Sequence, residues 1–165
     1  VLAVAIGTGV GGAIISDGKL IQGESQSAGE IGHMILYPQG RKCPCGNSGC
    51  LEAYLAGPAI EKRYFEISKE KLSAKEIFVE DNLNKQFVIY EAINNLIFAL
   101  VSLINITSPQ KVILSGGVSQ SLEKHLDYIK ENVKSQVLKA NEDIEIEISN
   151  LLADAMILGA ASQFL

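Results

Sequence analysis

The chain opens on an apolar run, Val1–Ile6 (VLAVAI), whose unbroken hydrophobicity predicts a strand covered on both faces. A glycine-rich turn, Gly7–Gly12, follows. Ala13–Ser16 and Lys19–Gln22 then flank Asp17-Gly18, a two-residue hairpin signal, so two further short antiparallel strands are expected. After an irregular loop, a short helix is expected near Leu51–Ala56. Gly57-Pro58 interrupts it, and another helix starts at Ala59. Residues 66–85 are polar and mixed, as in short surface helices. Phe87–Ile106 is apolar on most sides and predicts a long buried helix. Its most apolar part, Asn95–Ile106, is about twelve residues long and carries Ser102 and Asn105, so it reads as a core helix and not as a membrane span. Lys111–Leu114 (KVIL) predicts a strand running into Ser115-Gly116-Gly117, with Ser119 placed to cap the next helix. Leu122, Leu126, Ile129, Val133 and Val137 recur at helical spacing. Asp143–Ser149 (DIEIEIS) alternates strictly, as an edge strand does, with the acidic residues of 142–147 solvated. Asp154–Phe164 predicts a last helix with Gly159-Ala160-Ala161 allowing close packing.

The order is three strands, helix, strand, helix, strand, helix. Helices alternating with strands in the second half call for parallel pairing. An antiparallel three-stranded start followed by crossovers is the α/β layout of one actin-like, ribonuclease-H-like ATPase lobe. The 165 residues make one domain or one lobe of a larger protein, and 47% hydrophobic residues with fifteen glycines fit such a compact α/β unit. The chain starts without a methionine inside a strand that has no lead-in, so we expect a piece of a longer protein. Net charge is −5, from 14 basic and 19 acidic residues with no basic run, which argues against nucleic-acid binding by this chain. With no signal peptide and with thiols that are free or metal-bound, a cytoplasmic location is expected.

Candidate chemistry is concentrated in His33–Glu52 (HMILYPQGRKCPCGNSGCLE). All three cysteines and one of two histidines fall within eighteen residues, His33 to Cys50. Three thiolates and an imidazole complete a tetrahedral ligand set for zinc: His33, Cys43, Cys45 and Cys50. The spacing is neither a zinc ribbon nor a C-x-x-C redox pair. Gly40, Pro44, Gly46 and Gly49 permit a tight fold around a centre. Three buried free cysteines, or one disulfide and a spare thiol, are the alternatives. Two carboxylates, Glu30 and Glu52, flank the cluster.

Gly7, Gly9 and Gly12 match G-x-G-x-x-G, but the dinucleotide fingerprint needs a helix directly afterwards. A strand and hairpin follow here, and the Walker lysine is missing. The turn is either a plain tight turn or one whose bare backbone, with the Thr8 hydroxyl, approaches a phosphate. The second glycine turn, at the C-terminal end of a strand, favours one nucleotide held by both turns.

These residues carry a resemblance. IGTGVGGAI (Ile6–Ile14), AGEIGHM (Ala28–Met34), CPCGNSGCLE (Cys43–Glu52) and VILSGGVS (Val112–Ser119) are similar to the ROK family (repressors, open reading frames, kinases), and GAA (Gly159–Ala161) agrees. The resemblance implies an actin-like sugar kinase of two lobes, of which residues 1–165 are the C-terminal one with its zinc loop at 33–52. It assigns His33, Cys43, Cys45 and Cys50 to a structural zinc, and Glu30, His33 and Glu52 to sugar hydroxyls. His33 would then place one ring nitrogen on the metal and the other toward the sugar. Thr8, Gly9, Gly116 and Gly117 would line the site for ATP and magnesium. The family's first lobe, with its D-x-G-x-T loop and catalytic aspartate, has no counterpart in these residues. No catalytic residue is therefore expected in this chain, and alone it should not phosphorylate sugar. Apolar surface is also expected along the former lobe contact.

The full-length protein is then expected to be a glucokinase-like hexose kinase, cytoplasmic and homodimeric. The rival is the sugar-sensing part of a ROK transcriptional repressor. Tyr37, Tyr54 and Tyr64 are expected to pack, the alternative being a border of the sugar site, and His125 is expected at the surface or its boundary.

Overall fold

The computed structural model describes residues 1–151. The helix expected at Asp154–Phe164 and its Gly159–Ala161 tail lie outside them. Five strands, β1 (Leu2–Ile6), β2 (Val10–Ser16), β3 (Lys19–Leu20), β4 (Lys111–Ser115) and β5 (Glu145–Ile148), form one mixed sheet in the order β3-β2-β1-β4-β5. β1–β2 and β2–β3 are antiparallel, and β1–β4 and β4–β5 are parallel. The antiparallel start and the parallel second half follow the sequence pattern. β2 is longer than expected because Gly11 and Gly12 pair with β1 and only Gly7–Gly9 forms the turn.

One face of β1 is covered: Leu2, Val4 and Ile6 are buried, while Ala3 is half-buried and Ala5 exposed. This corrects the expectation of a strand covered on both faces. Alanines at alternate positions keep the run apolar without requiring burial.

Six helices follow in chain order: α1 (Glu52–Leu55), α2 (Gly57–Ser68), α3 (Ala74–Ile77), α4 (Leu83–Thr107), α5 (Gly117–Ser121) and α6 (Leu126–Lys134). α4 is capped by the Asn82 side chain, which accepts from the Lys85 N–H, and it ends at Ser108 in the left-handed conformation. Twelve of its residues are buried, among them Ile89, Ile93, Leu96 and Leu100. Each such side chain contributes about 1.5–3 kcal/mol. It is long and apolar enough to cross a membrane, yet it serves as the core helix of this fold.

The segment after β4 departs from the expected single helix. It is broken into α5, a 3₁₀ turn at Glu123–His125, and α6. Leu122, Ile129 and Val133 are fully buried and Leu126 and Val137 half-buried, so the apolar stripe is real although the helix is interrupted. Ser119 is not the cap. Gly116, at φ +90, occupies that position, and Ser119 is buried inside α5 with its hydroxyl on the Ser115 carbonyl. His125 is also not superficial. It is 8% exposed, bonds through Nε2 to Glu80, and meets the ring of Tyr90 edge-on. It lies in the 3₁₀ turn between α5 and α6.

Candidate functional site

Three glycine-bearing corners meet at the C-terminal ends of the parallel neighbours β1 and β4. The Gly7–Gly9 turn leaves β1, Gly116-Gly117 leaves β4, and Gly57-Pro58 opens α2. The Gly57 N–H donates to the Gly7 carbonyl at 2.8 Å, which ties the helix start to the first turn. A side chain at Gly116 would collide with the Ile6 carbonyl, and its positive φ adds strain, so only glycine allows this approach. A cavity of about 690 Å³ lies over the junction, lined by Gly7, Thr8, Gly57, Lys75, Gly117 and Gln120 among others. Of the four sequence-predicted nucleotide residues, Thr8 and Gly117 line it, and Gly116 shapes its floor by fixing the turn. Gly9 instead packs against the Glu52 carboxylate. Gly57 and Lys75 had not been singled out. A glycine followed by proline at the start of α2 is the signal that could have found the first of them.

Glu52 opens α1, and its Oε2 accepts the Val10 N–H at 3.0 Å. This places the carboxylate where the glycine turn joins the cysteine loop. Glu30 and His33 stand on either end of a 3₁₀ turn, with Glu30 Oε2 3.9 Å from His33 Nε2. The other ring nitrogen, Nδ1, is 3.7 Å from Cys43 Sγ. Cys45 and Cys50 sulfurs are also 3.7 Å apart, and the ligand atoms of His33, Cys43, Cys45 and Cys50 all lie within 4.8 Å of one another. A tetrahedral ion with bonds of about 2.3 Å separates its ligands by roughly 3.8 Å, whereas a disulfide needs about 2.05 Å. The three cysteines are free, so the spacing fits a four-ligand ion and not a disulfide.

The loop is built for that geometry. Gly49, at φ +85, lets the chain turn beneath the Tyr37 carbonyl, which a β-carbon would strike. Bridges at Ile35–Cys50 and Lys42–Ser48 bring the sulfurs to one side. Burial pushes the Cys50 thiol up to about 12, while an N–H of Asn47 holds the exposed Cys45 below its ordinary value. A buried thiol so reluctant to ionise becomes a thiolate beside a divalent cation, whose charge offsets the cost of burial.

Tyr54 is buried, its hydroxyl accepting the Arg41 N–H at 2.8 Å, with the Arg41 guanidinium 4.4 Å above its ring. Tyr64 is buried and bonded to Glu70, while Tyr37 is exposed and meets the Tyr54 ring at a tilt of 55°. Tyr54 and Tyr64 therefore pack and are not presented at the surface.

The family model described as "ROK family" matches residues 1–165. The chain belongs to the ROK family. It is 32% identical to a glucokinase of Thermotoga maritima, covering 98% of this chain and 57% of that protein. It is 31% identical to the Escherichia coli DNA-binding transcriptional dual regulator NagC, over 84% of this chain and 37% of that protein. Among solved structures it superposes with a TM-score of 0.85 on a ROK family glucokinase from Streptomyces griseus in complex with glucose and AMPPNP, at 25% identity, covering 98% of this chain and 59% of that one. The chain thus spans a little over half the length of the glucokinases it matches, and its α/β mixed sheet is the fold of ROK sugar kinases.

Proposed function

We propose that these residues form the C-terminal lobe of an ATP-dependent sugar kinase, holding the sugar on one side of the Thr8 turn and the nucleotide on the other. The observation that carries this reading is His33. Its Nδ1 faces a sulfur and its Nε2 faces the Glu30 carboxylate, so one ring joins the cysteine cluster to an acidic, exposed surface. A metal on Nδ1 fixes the tautomer with the proton on Nε2, which leaves a rigid donor beside two acceptors. Glu30, His33 and Glu52 then supply the donor and acceptors that a ring of hydroxyls requires. Zinc bound by His33, Cys43, Cys45 and Cys50 is structural in this reading, since all four positions are protein-filled and none is open to water. The bare backbone at Gly7–Gly9, the Thr8 hydroxyl and the turn at Gly116-Gly117 cradle ATP in the neighbouring cavity.

The base that removes the proton from the sugar hydroxyl, and the loop that positions magnesium, come from a companion lobe in this reading. Closure of the two lobes excludes water from the phosphoryl group. The glucose and AMPPNP named for the Streptomyces griseus relative support this pairing of ligands. The likeness to NagC favours a second reading, a repressor whose lobe senses sugar without phosphorylating it.

A sugar panel with ATP, followed by ADP release from the full-length protein, separates the two. Glucose, mannose, fructose, N-acetylmannosamine and a β-glucoside are the first substrates to try. Turnover of one sugar, with Glu30→Gln and Glu52→Gln each weakening it by about tenfold or more, supports the kinase. Sugar binding without ADP supports the sensor. Residues 1–165 alone are expected to give no sugar-dependent ADP.

A further inference from the structure

A second cavity, of about 470 Å³, lies between the cysteine loop and α2; Thr8 and Glu52 form the edge it shares with the sites proposed above, and its basic residues have no part in that reading. It shares Thr8 and Pro58 with the nucleotide-side cavity, so the two meet at the glycine turn. Arg41 and Lys42 enter it from the loop, and Lys62 and Arg63 from adjacent positions on α2. Four of the fourteen basic residues of an acidic chain thus converge on one hollow.

The carboxylates nearby neutralise them only in part. Arg41 Nη2 and Arg63 Nε both bond to one atom, Glu91 Oε2, at 2.8 and 3.0 Å. A single carboxylate oxygen shared by two guanidiniums leaves positive charge uncompensated. Glu66 stands 3.6 Å from Arg63 Nη1. Glu52, the other acid in the lining, accepts the Val10 N–H and keeps its charge, so three carboxylates stand against four cations. Lys42 and Lys62 are exposed and have no ion-pair partner among the described residues. Like charges lining one hollow repel one another, and an anion between them relieves that repulsion.

We propose that this cavity is a phosphate-binding subsite, distinct from the nucleotide cavity and separated from it by Thr8. Two ammonium groups act as point charges, and the guanidinium forks retain N–H donors beyond those used on Glu91. That set suits a tetrahedral anion with several oxygens. The hollow falls in the ligand range of roughly 300–1,000 Å³ and exceeds what one phosphate needs. An inorganic oligophosphate or the phosphate of a sugar monoester therefore fits its chemistry. That the anion sits beside the transferred phosphoryl group rests on the role proposed for Thr8, whereas the cavity and its charges do not.

The test is calorimetric titration of the full-length, zinc-loaded protein with tripolyphosphate and, separately, with hexose 6-phosphate. Each is run with and without a saturating non-hydrolysable ATP analogue. At least one anion is expected to bind alongside the analogue, and the tighter of the two identifies the source. The double variant K42Q/K62Q, altered only at exposed side chains, should weaken that anion by about tenfold or more and leave analogue affinity unchanged. Competition between anion and analogue, no binding of either anion, or full affinity in the double variant would each overturn the proposal. Failure of the analogue itself to bind would count against the kinase reading, and the phosphate arm without it still decides this one.

Discussion

The cysteine loop and α4 are both ordered, and opposite forces order them. Within α4 twelve residues are buried, most of them aliphatic, and the helix stays in place by excluding water. Between residues 35 and 50 only Cys43, Gly49 and Cys50 are buried. The loop is held by backbone bridges and by a glycine in a left-handed conformation, and it brings four side-chain ligand atoms together. A core of Leu and Ile tolerates exchange of one apolar group for another, because burial is non-directional. A loop fixed by ligand geometry fails at single positions. The two are joined by Glu91 of α4, which accepts from Arg41 of the loop and Arg63 of α2.

The comparison breaks most clearly on removal of the zinc proposed for His33, Cys43, Cys45 and Cys50. Structural zinc sites contribute on the order of 10 kcal/mol to the segments they fold. Chelation is expected to open residues 35–50 to proteolysis while the amides of α4 keep their protection from hydrogen exchange. Loss of both together would mean that the loop and the core are one unit. Gly49→Ala should act in the same direction, costing about 3 kcal/mol or more through strain and collision with the Tyr37 carbonyl. Substoichiometric zinc after purification is its readout.

Leu96→Ala is the mirror experiment. It should cost about 2–5 kcal/mol in thermal or denaturant unfolding and leave zinc content unchanged. Glu80→Gln tests a polar contact that reaches the core edge. Burial opposes the charge on Glu80, but bonds from Lys124 and His125 outweigh it and hold the carboxyl below its ordinary value. The stabilisation is therefore present above the usual carboxylate range and lost as pH falls through the depressed value. The variant should lose about 1–3 kcal/mol near pH 7, and the gap from the parent should narrow below about pH 4. An equal gap at both pH values would refute that account. Smallest is the link between the regions. Glu91→Gln should cost about 1 kcal/mol, and a double-mutant cycle with Arg41→Gln should show coupling between them.

What the sequence made legible follows the same division. The four-residue cluster was readable because His33, Cys43, Cys45 and Cys50 are rare residue types at short spacing, and the structure brings their ligand atoms within 4.8 Å of one another. α4 was readable because its apolar residues fill most sides of a long helical pattern. His125 was misjudged because the helix breaks after Ser121 into a 3₁₀ turn, and nothing in the spacing of Leu122, Leu126 and Ile129 announces it; Ser119 was misjudged because the helix starts three residues earlier. Gly116 took the capping position through a positive φ that a sequence suggests only weakly. Lys75, Lys62 and Arg63 could not be assigned to cavities because tertiary packing alone brings α2 and α3 beside the glycine turn.

The central position of β1 has a kinetic consequence. Leu2 finds Ile14 across a short hairpin, but its other neighbour is Val112. During synthesis at about 10 residues per second, that edge waits roughly ten seconds for its partner. For that interval the nascent polypeptide exposes an unpaired aliphatic strand, the species on which ribosome-associated chaperones act.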